Sequence, residues 1–535
     1  MVPLYLFASF VGTLGVYALY EVLKVAYQER RSLRHLPGPK SPHLFYGNFK
    51  EIWKSENSVL EQWIRQYGPT LKYTGFFGRT RLYTTDTKAL NHVLTNTNIY
   101  EKPAPSRYHL ARVVGPGVLV AEGDAHRLQR KILNPAFGAP QVRELTGIFI
   151  EKSIELRDIW ATQASNAGGT ARVDVLAWLN KATLDIIGLA GFNYPFNSLS
   201  GAEDATELGA AFKTTFQAGL HMNPLRILQG HVPALRLIPT RLDATLRSSQ
   251  AAMLRIGARL LAESRREIAA GEKGEASLRA RDLLTLLVRA NMDADGSGAG
   301  ARLSDEDVLA QVPTFIVAGH ETTSAGTTWA LFALTQNLSA QTRLRDELLA
   351  VATDTPTMDE LNALPYLDCV VRETLRVHAP VPSTSRVATQ DDVVPLATPF
   401  TDVNGDVHES IRVKKGQAIM IPILAMNRDR GIWGEDALEF IPERWEKQTV
   451  SNAIPGVWGH MMTFLGGPRA CIGYRFSLVE MKALLFTLIR AFEFELAVPL
   501  ADVGKRSAIV QRPFLRSETE RGNQMPLLVR RHVRA

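Results

Sequence analysis

The ten residues Phe464–Gly473 read FLGGPRACIG and hold Cys471, one of two cysteines in 535 residues. A thiolate is a soft, electron-rich ligand for a transition metal. Gly466, Gly467 and Gly473 strip side chains from the surroundings of the sulfur, so that backbone can approach something flat that a Cβ would hold off. Arg469, two positions before the sulfur, suits pairing with a carboxylate. An apolar segment predicted helical from about Tyr474 to Phe494 follows at once, and its N-terminal dipole would favour negative charge on the sulfur. The same residue types fit a buried structural cysteine in a Gly-rich turn, and the local pattern leaves both readings open.

Three further groupings have chemical content. Ala318-Gly319-His320-Glu321-Thr322-Thr323 lies inside a predicted helix, where glycine costs about 1 kcal/mol relative to alanine. That cost implies that something packs flat against the helix or that it opens there. An acid beside a hydroxyl can relay protons through water; a kink carrying a few polar residues is the plainer alternative. Glu373 and Arg376 sit three apart on a helix, a pair worth about 0.2–0.5 kcal/mol if exposed. His126 and Arg130, four apart, share one helix face, which solvated basic residues would also explain.

Stepping outward, the composition is that of a globular chain: 45% hydrophobic, 21% charged, net charge +7 and pI about 9.3. Two cysteines supply no disulfide framework, as expected on a reducing, cytosol-facing side of a membrane. No basic run with interleaved aromatics suggests nucleic acid as a partner. Pro3 to Tyr20 is almost wholly apolar, about the length that crosses a bilayer. Lys24, Arg30, Arg31 and Arg34 follow it and no basic residue precedes it. The charge bias puts the N-terminus in the lumen and the rest in the cytosol, and a cleaved signal would want a basic start and a clear cleavage site. The expected domains are a transmembrane anchor (1–23), a basic and Pro-rich hinge around Leu36-Pro37-Gly38-Pro39 (24–42) and one catalytic domain (43–535).

Within that domain, Leu71 to Thr85 reads as a hairpin, and Ile148 to Arg289 as amphipathic helices without a chemical motif. Asp293 to Gly300 reads as a surface loop. A long helix is predicted from Ser304, capped by Asp307, to about Leu338, distorted at Pro313. Thr401 to Ile423 reads as strands turning at Asn404-Gly405 and Lys415-Gly416. Ala508-Ile509-Val510 is β-prone, Cys369 is assigned to the core, and the sequon at Asn337 is expected to go unused on the cytosolic side.

The pattern F-x-x-G-x-R-x-C-x-G, filled by Phe464, Gly467, Arg469, Cys471 and Gly473, resembles the haem-binding signature of the cytochrome P450 family. Ala318–Thr323 resembles the family's oxygen-activation motif, and Glu373–Arg376 and Pro442-Glu443-Arg444-Trp445 follow in family order. The resemblance runs from about Leu36 to Leu496. It implies an α+β, mainly helical fold with small sheets behind one N-terminal transmembrane helix. It also implies haem b with iron ligated by Cys471, a thiolate that favours O–O cleavage. Propionate contacts would come from Arg386 and Arg130, with His126 standing where the family has tryptophan and still able to donate. Glu373, Arg376 and Arg444 would form a bracing triad, Thr322 would steady bound dioxygen and Glu321 would feed it protons. The implied activity is a monooxygenase acting on lipophilic small molecules such as terpenoids, steroids or aromatics, in secondary metabolism or xenobiotic oxidation. The implied donor is an NADPH–cytochrome P450 reductase, with cytochrome b5 as a second candidate, landing near Arg127, Lys131 and Arg475. The implied place is the endoplasmic reticulum membrane, and the look is that of fungal members. Two rivals are a haem-thiolate isomerase or dehydratase that needs no O2, and a non-catalytic haem-binding protein.

Overall fold

The computed structural model describes residues 5, 9–10, 12–17, 20–21, 24, 33–56, 58–201, 207–211, 224–271, 282–296, 302–446 and 454–533. Helices dominate. The core is built by α1 (Gly123–Leu133), α2 (Ala139–Asn166), α3 (Val175–Phe192), the short α4 (Asp305–Leu309), α5 (Gln311–Gln336), α6 (Pro365–Val377) and α7 (Tyr474–Ala491). Helix α5 runs through the middle, packed on α3, α6 and α7, while α2 lies along α7. Trp329, Leu331 and Leu334 of α5 and Leu484, Leu485 and Leu488 of α7 are fully enclosed. Burial of that many large apolar side chains, each worth about 1.5–3 kcal/mol, makes these two helices the rigid axis of the domain.

Four small sheets flank the helices. The largest orders β1 (Thr70–Thr74), β2 (Thr80–Thr84), β8 (Ala418–Ile421), β5 (Thr384–Ala388) and β3 (Tyr100–Glu101). The predicted hairpin is β1–β2, in register Thr70 to Thr84. Strand β5 pairs with β8, Arg386 opposite Ile419, which fixes Arg386 on a sheet rather than a loop. The other sheets are β6–β7 (Asp392–Thr401, Val407–Val413), β10–β11 (Val503–Ser507, Gln511–Leu515), and β4 (Thr170–Asp174) with β12 (Pro526–Arg531) and β9 (Phe492–Leu496).

Several expectations need correction. The long helix breaks at Ala310, before Pro313, into α4 and α5; a Ser304–Asp307 capping box starts α4 as predicted. Ala508–Val510, read as strand, is the turn of the β10–β11 hairpin, where Val510 is buried by tertiary packing rather than paired. A further helix spans Ala104–Val114. The start of the small polar stretch at Asp293 finishes a helix, Leu283–Gly296. Helix α7 stops at Ala491, and its apolar continuation turns into β9. Cys369 is buried, as expected, and the sequon residue Asn337 caps the helix Leu338–Leu349 by accepting from the Ala340 amide.

Much of the N-terminal stretch lies outside the described residues, and so does part of the hinge. Its described residues, 12–17 among them, are helical and, apart from half-buried Leu14 and Glu21, exposed, with Tyr5, Phe10 and Val16 at 55–70% exposure. The end of the hinge is docked: the Lys72 amide donates to the Pro37 carbonyl at 2.9 Å and Leu36 is buried. Among the described residues one helix, α3, is long and apolar enough to cross a membrane; it is largely buried inside the protein.

Candidate functional site

The Cys471 loop is fixed by its own backbone. The Cys471 amide donates to the Phe464 carbonyl at 2.8 Å and the Ala470 amide to that of Gly467 at 3.0 Å. Gly467 adopts φ +69, and a Cβ on it would stand 2.6 Å from the Leu94 carbonyl oxygen; on Gly466 it would stand 1.5 Å from that of Pro455. These glycines are therefore demanded by neighbouring backbone, not by a flat ligand as the sequence suggested. Gly473 is the roomier one, with Phe137 3.7 Å from where its Cβ would lie.

Cys471 is exposed by surface area, yet protein closes round it densely enough that burial pushes its thiol pKa up. The Gly473 amide, at the start of α7, and the Arg130 guanidinium oppose that rise, which is the electrostatic setting the helix N-terminus predicts.

Around the loop stands an excess of positive charge. Arg469 pairs with Glu122, the residue capping α1, and donates to the Ala121 carbonyl at 3.1 Å. The Arg130 guanidinium donates to the Ala470 carbonyl at 2.7 Å. Buried Arg386 is held by the Ser385 carbonyl at 2.9 Å. Burial, then Arg386 and Arg469, bring the Lys102 ammonium down to about 7. His126 falls to about 3 through burial, then Arg469, Lys102, Arg130 and Arg386, so its imidazole is neutral. Five cationic or basic groups thus face one another with the carboxylate of Glu122 among them, and the buried Nε of Arg469 has no hydrogen-bond partner among the described residues. Clustering like charges at low dielectric is unfavourable unless anions complete the site. A ligand carrying two carboxylates fits, as does haem. The sequence had pointed to Arg469, Arg130, His126 and Arg386, and the structure brings them together. It had missed Lys102 and Glu122, which carry no motif and reach the site through β3 and the α1 cap.

Behind the loop lies the triad. Glu373 and Arg376 are fully buried and bidentate, at 2.7 and 2.9 Å. Arg376 also donates to the carbonyls of Asn427, Ala437 and Glu439. Glu373 further accepts from the Ile441 amide and the Trp445 indole, both at 3.0 Å. Arg444 approaches Glu373 at 3.5 Å and donates to the Trp433 carbonyl at 2.8 Å.

On α5, every residue from Thr314 to Leu334 is buried except Ala318, Gly319 and Thr322. Positions i, i+1 and i+4 share a helix face, so the central helix carries one open notch. The Thr322 hydroxyl donates to the Ala318 carbonyl at 2.7 Å, on that face. A Cβ on Gly319 would meet Ile187 at 2.8 Å, so α3 is what packs flat against the glycine. Glu321 is buried and ion-paired with Arg512 of β11, a partner the sequence gave no sign of. Burial raises the Glu321 carboxyl pKa and Arg512 pulls it back. Glu480 of α7 was missed too: it is wholly buried beside Thr323, and burial lifts its pKa well above 4.5.

The structure thus sets a thiol beside a helix N-terminus, a cluster of basic groups next to it and a notch on the central helix. The cytochrome P450 family model matches residues 37–513. Cytochrome P450 monooxygenase 205 of Postia placenta is 54% identical over 529 residues, covering 97% of each chain. Cytochrome P450 monooxygenase 128 of the same fungus is 50% identical over 533 residues, 98% of this chain and 97% of that one. Cytochrome P450 monooxygenase claU of Ampulloclitocybe clavipes is 36% identical over 516 residues, 94% of each. The chain belongs to the cytochrome P450 family.

Proposed function

We propose that this monooxygenase uses Cys471 as the axial ligand of haem iron and inserts one atom of O2 into a lipophilic small molecule, a terpenoid, steroid or aromatic, in secondary metabolism or xenobiotic oxidation. The observation that carries the reading is the cation cluster of Lys102, Arg130, Arg386 and Arg469 beside Cys471, which lacks matching negative charge. Those residues, with His126 as a neutral donor, would hold the two propionates. When bound, haem supplies the iron that takes up and reduces dioxygen, tuned by thiolate. The protein's own work is to seat the group, to keep a hydroxyl (Thr322) and an acid (Glu321) on α5, and to exclude bulk water from the buried face of that helix. Electrons come from an NADPH–cytochrome P450 reductase or cytochrome b5, docking near Arg127, Lys131 and Arg475. The apolar N-terminal helix, exposed where it is described, supports a single-pass anchor in the endoplasmic reticulum with the catalytic domain in the cytosol.

The reduced, CO-treated protein is expected to show the red-shifted Soret band of thiolate-ligated haem, and Cys471→Ala to lose it. A bound haem without that band refutes the ligand assignment. Thr322→Ala is expected to leave the band and to divert reducing equivalents from product to peroxide; unchanged coupling removes Thr322 from the mechanism. Turnover of a lipophilic panel by microsomes, followed by mass spectrometry, identifies the substrate class.

A further inference from the structure

Glu321 and Arg512 lie 191 residues apart in the chain and form a buried ion pair, each side chain 8% exposed. Nothing in the local sequence of either requires the other. The pairing is a product of how the β10–β11 hairpin is attached to α5. The Trp329 indole, about two turns along α5 from Glu321, donates to the Gln511 carbonyl at 3.1 Å. The Gln511 amide donates to the Pro380 carbonyl at 2.8 Å. Residue 511 is therefore stapled on both sides, and residue 512 is aimed back at the acid.

We propose that Arg512 is a positioning residue for proton delivery, fixing the Glu321 carboxylate on the distal helix and governing when that group releases and regains its proton. This rests on the reading of Glu321 as the proton donor given above. The balance is simple. Inserting one oxygen atom takes RH, O2, two electrons and two protons to ROH and water, the electrons coming from NADPH through the reductase. Glu321 gives its proton as a neutral carboxyl and becomes a carboxylate, and a water returns the proton. Arg512 stays cationic throughout and stabilises the carboxylate half of that cycle.

Other groups nearby do not share the role. The charged group that bears on Glu321 is Arg512. His320, next to it on α5, is held neutral by burial, at about 4, with Arg512 adding to that lowering. Its Nδ1 is engaged with the Ile316 carbonyl at 2.7 Å. From α3 the facing groups are Ile187 and Thr183, the latter donating to the His320 carbonyl. Glu480 of α7 bears on Thr323. A carboxylate with one cationic partner responds to the loss of that partner; an opposite charge at contact distance typically moves such a group by about 1–3 in pH.

The test uses full-length protein in reductase-containing membranes, with Arg512→Gln, Arg512→Lys, Glu321→Gln and the Arg512→Gln/Glu321→Gln double variant, each normalised to its CO-band haem content. The first readout needs no turnover: the infrared carbonyl band of a protonated carboxyl, assigned to Glu321 by its loss in Glu321→Gln and followed against pH. Arg512→Gln is expected to shift its midpoint upward by about 1–3 in pH, and Arg512→Lys by less. The second readout is NADPH oxidation without added substrate and the share of electrons recovered as hydrogen peroxide. Its pH profile is expected to follow the infrared shift in Arg512→Gln, and the double variant to match Glu321→Gln alone. An unmoved infrared midpoint in both Arg512 variants overturns the proposal, as does a double variant markedly worse than Glu321→Gln. If Arg512→Gln loses haem, Arg512→Lys carries the same comparison. An unaltered peroxide share and profile in Glu321→Gln instead overturns the proton-donor reading, while the infrared titration still reports whether Arg512 controls the carboxyl.

Discussion

Two of the buried arginine–carboxylate pairs, one behind the Cys471 loop and one on α5, are built differently. Behind the Cys471 loop, Glu373 and Arg376 are three residues apart on α6, wholly buried and bidentate, with backbone carbonyls, an amide and an indole completing both partners. On α5, Glu321 meets Arg512 across 191 residues of chain, and the partner of its carboxylate among the described residues is that one guanidinium. A charge pair whose remaining lone pairs and protons are satisfied is a fixed part of the scaffold. One held by a single strong partner keeps room to change protonation. The first pair suits bracing a loop, and the second suits chemistry that must cycle.

The largest expected effect follows from breaking the braced side. Glu373→Ala leaves Arg376 buried with its charge uncompensated, which costs about 3–5 kcal/mol. Loss of the CO-band haem signal and a lowered urea midpoint in the same preparation are the expected result. A variant as stable as the native protein would mean that the three carbonyls alone hold Arg376, and the contrast between the two pairs would fall. Trp445→Phe is a milder cut. It removes the indole hydrogen bond to Glu373 and keeps a ring in the contact with Trp433, whose centroid lies 5.6 Å away. About 1 kcal/mol is expected, read as a midpoint shift with haem retained.

The same contrast explains what the sequence made legible. Cys471, Arg469, Glu373 and Arg376 lie within short motifs because backbone geometry and i, i+3 spacing bind them locally. The helices and the β1–β2 hairpin were readable from periodicity for the same reason. Lys102, Glu122 and Arg512 are each isolated in sequence and acquire meaning from a sheet edge, a helix cap and a hairpin that only the folded chain brings near. The β-prone Ala508–Val510 misled because its apolar character serves burial of a turn. The glycines of the Cys471 loop were found but misread: Gly466 and Gly467 answer to the carbonyls of Pro455 and Leu94, which no local pattern announces. Pro313 was read as distorting one turn of the long helix, and the break at Ala310 lies in the turn before it, where a proline cannot donate to the Leu309 carbonyl.

Another buried carboxylate sharpens the comparison, because among the described residues it has no arginine partner. Glu480 of α7 is 0% exposed and lies by Thr323, itself 3.0 Å from the Ser477 hydroxyl. Without a cation, burial should keep it neutral, and that gives it a pH dependence opposite in sign to that of a carboxylate stabilised by a cation. Its pKa in the folded protein is raised, so the neutral form contributes fully at a pH below the unfolded value near 4.5. That contribution falls as pH rises, because the unfolded chain gains by ionising while the folded one does not, until the folded pKa is passed. Glu480→Gln has nearly the same shape and cannot ionise. It is expected to match the native urea midpoint at a pH below 4.5 and to exceed it progressively above. Two midpoint curves that run parallel across the pH range would show Glu480 to be ionised in the core, and would place it with the paired carboxylates after all.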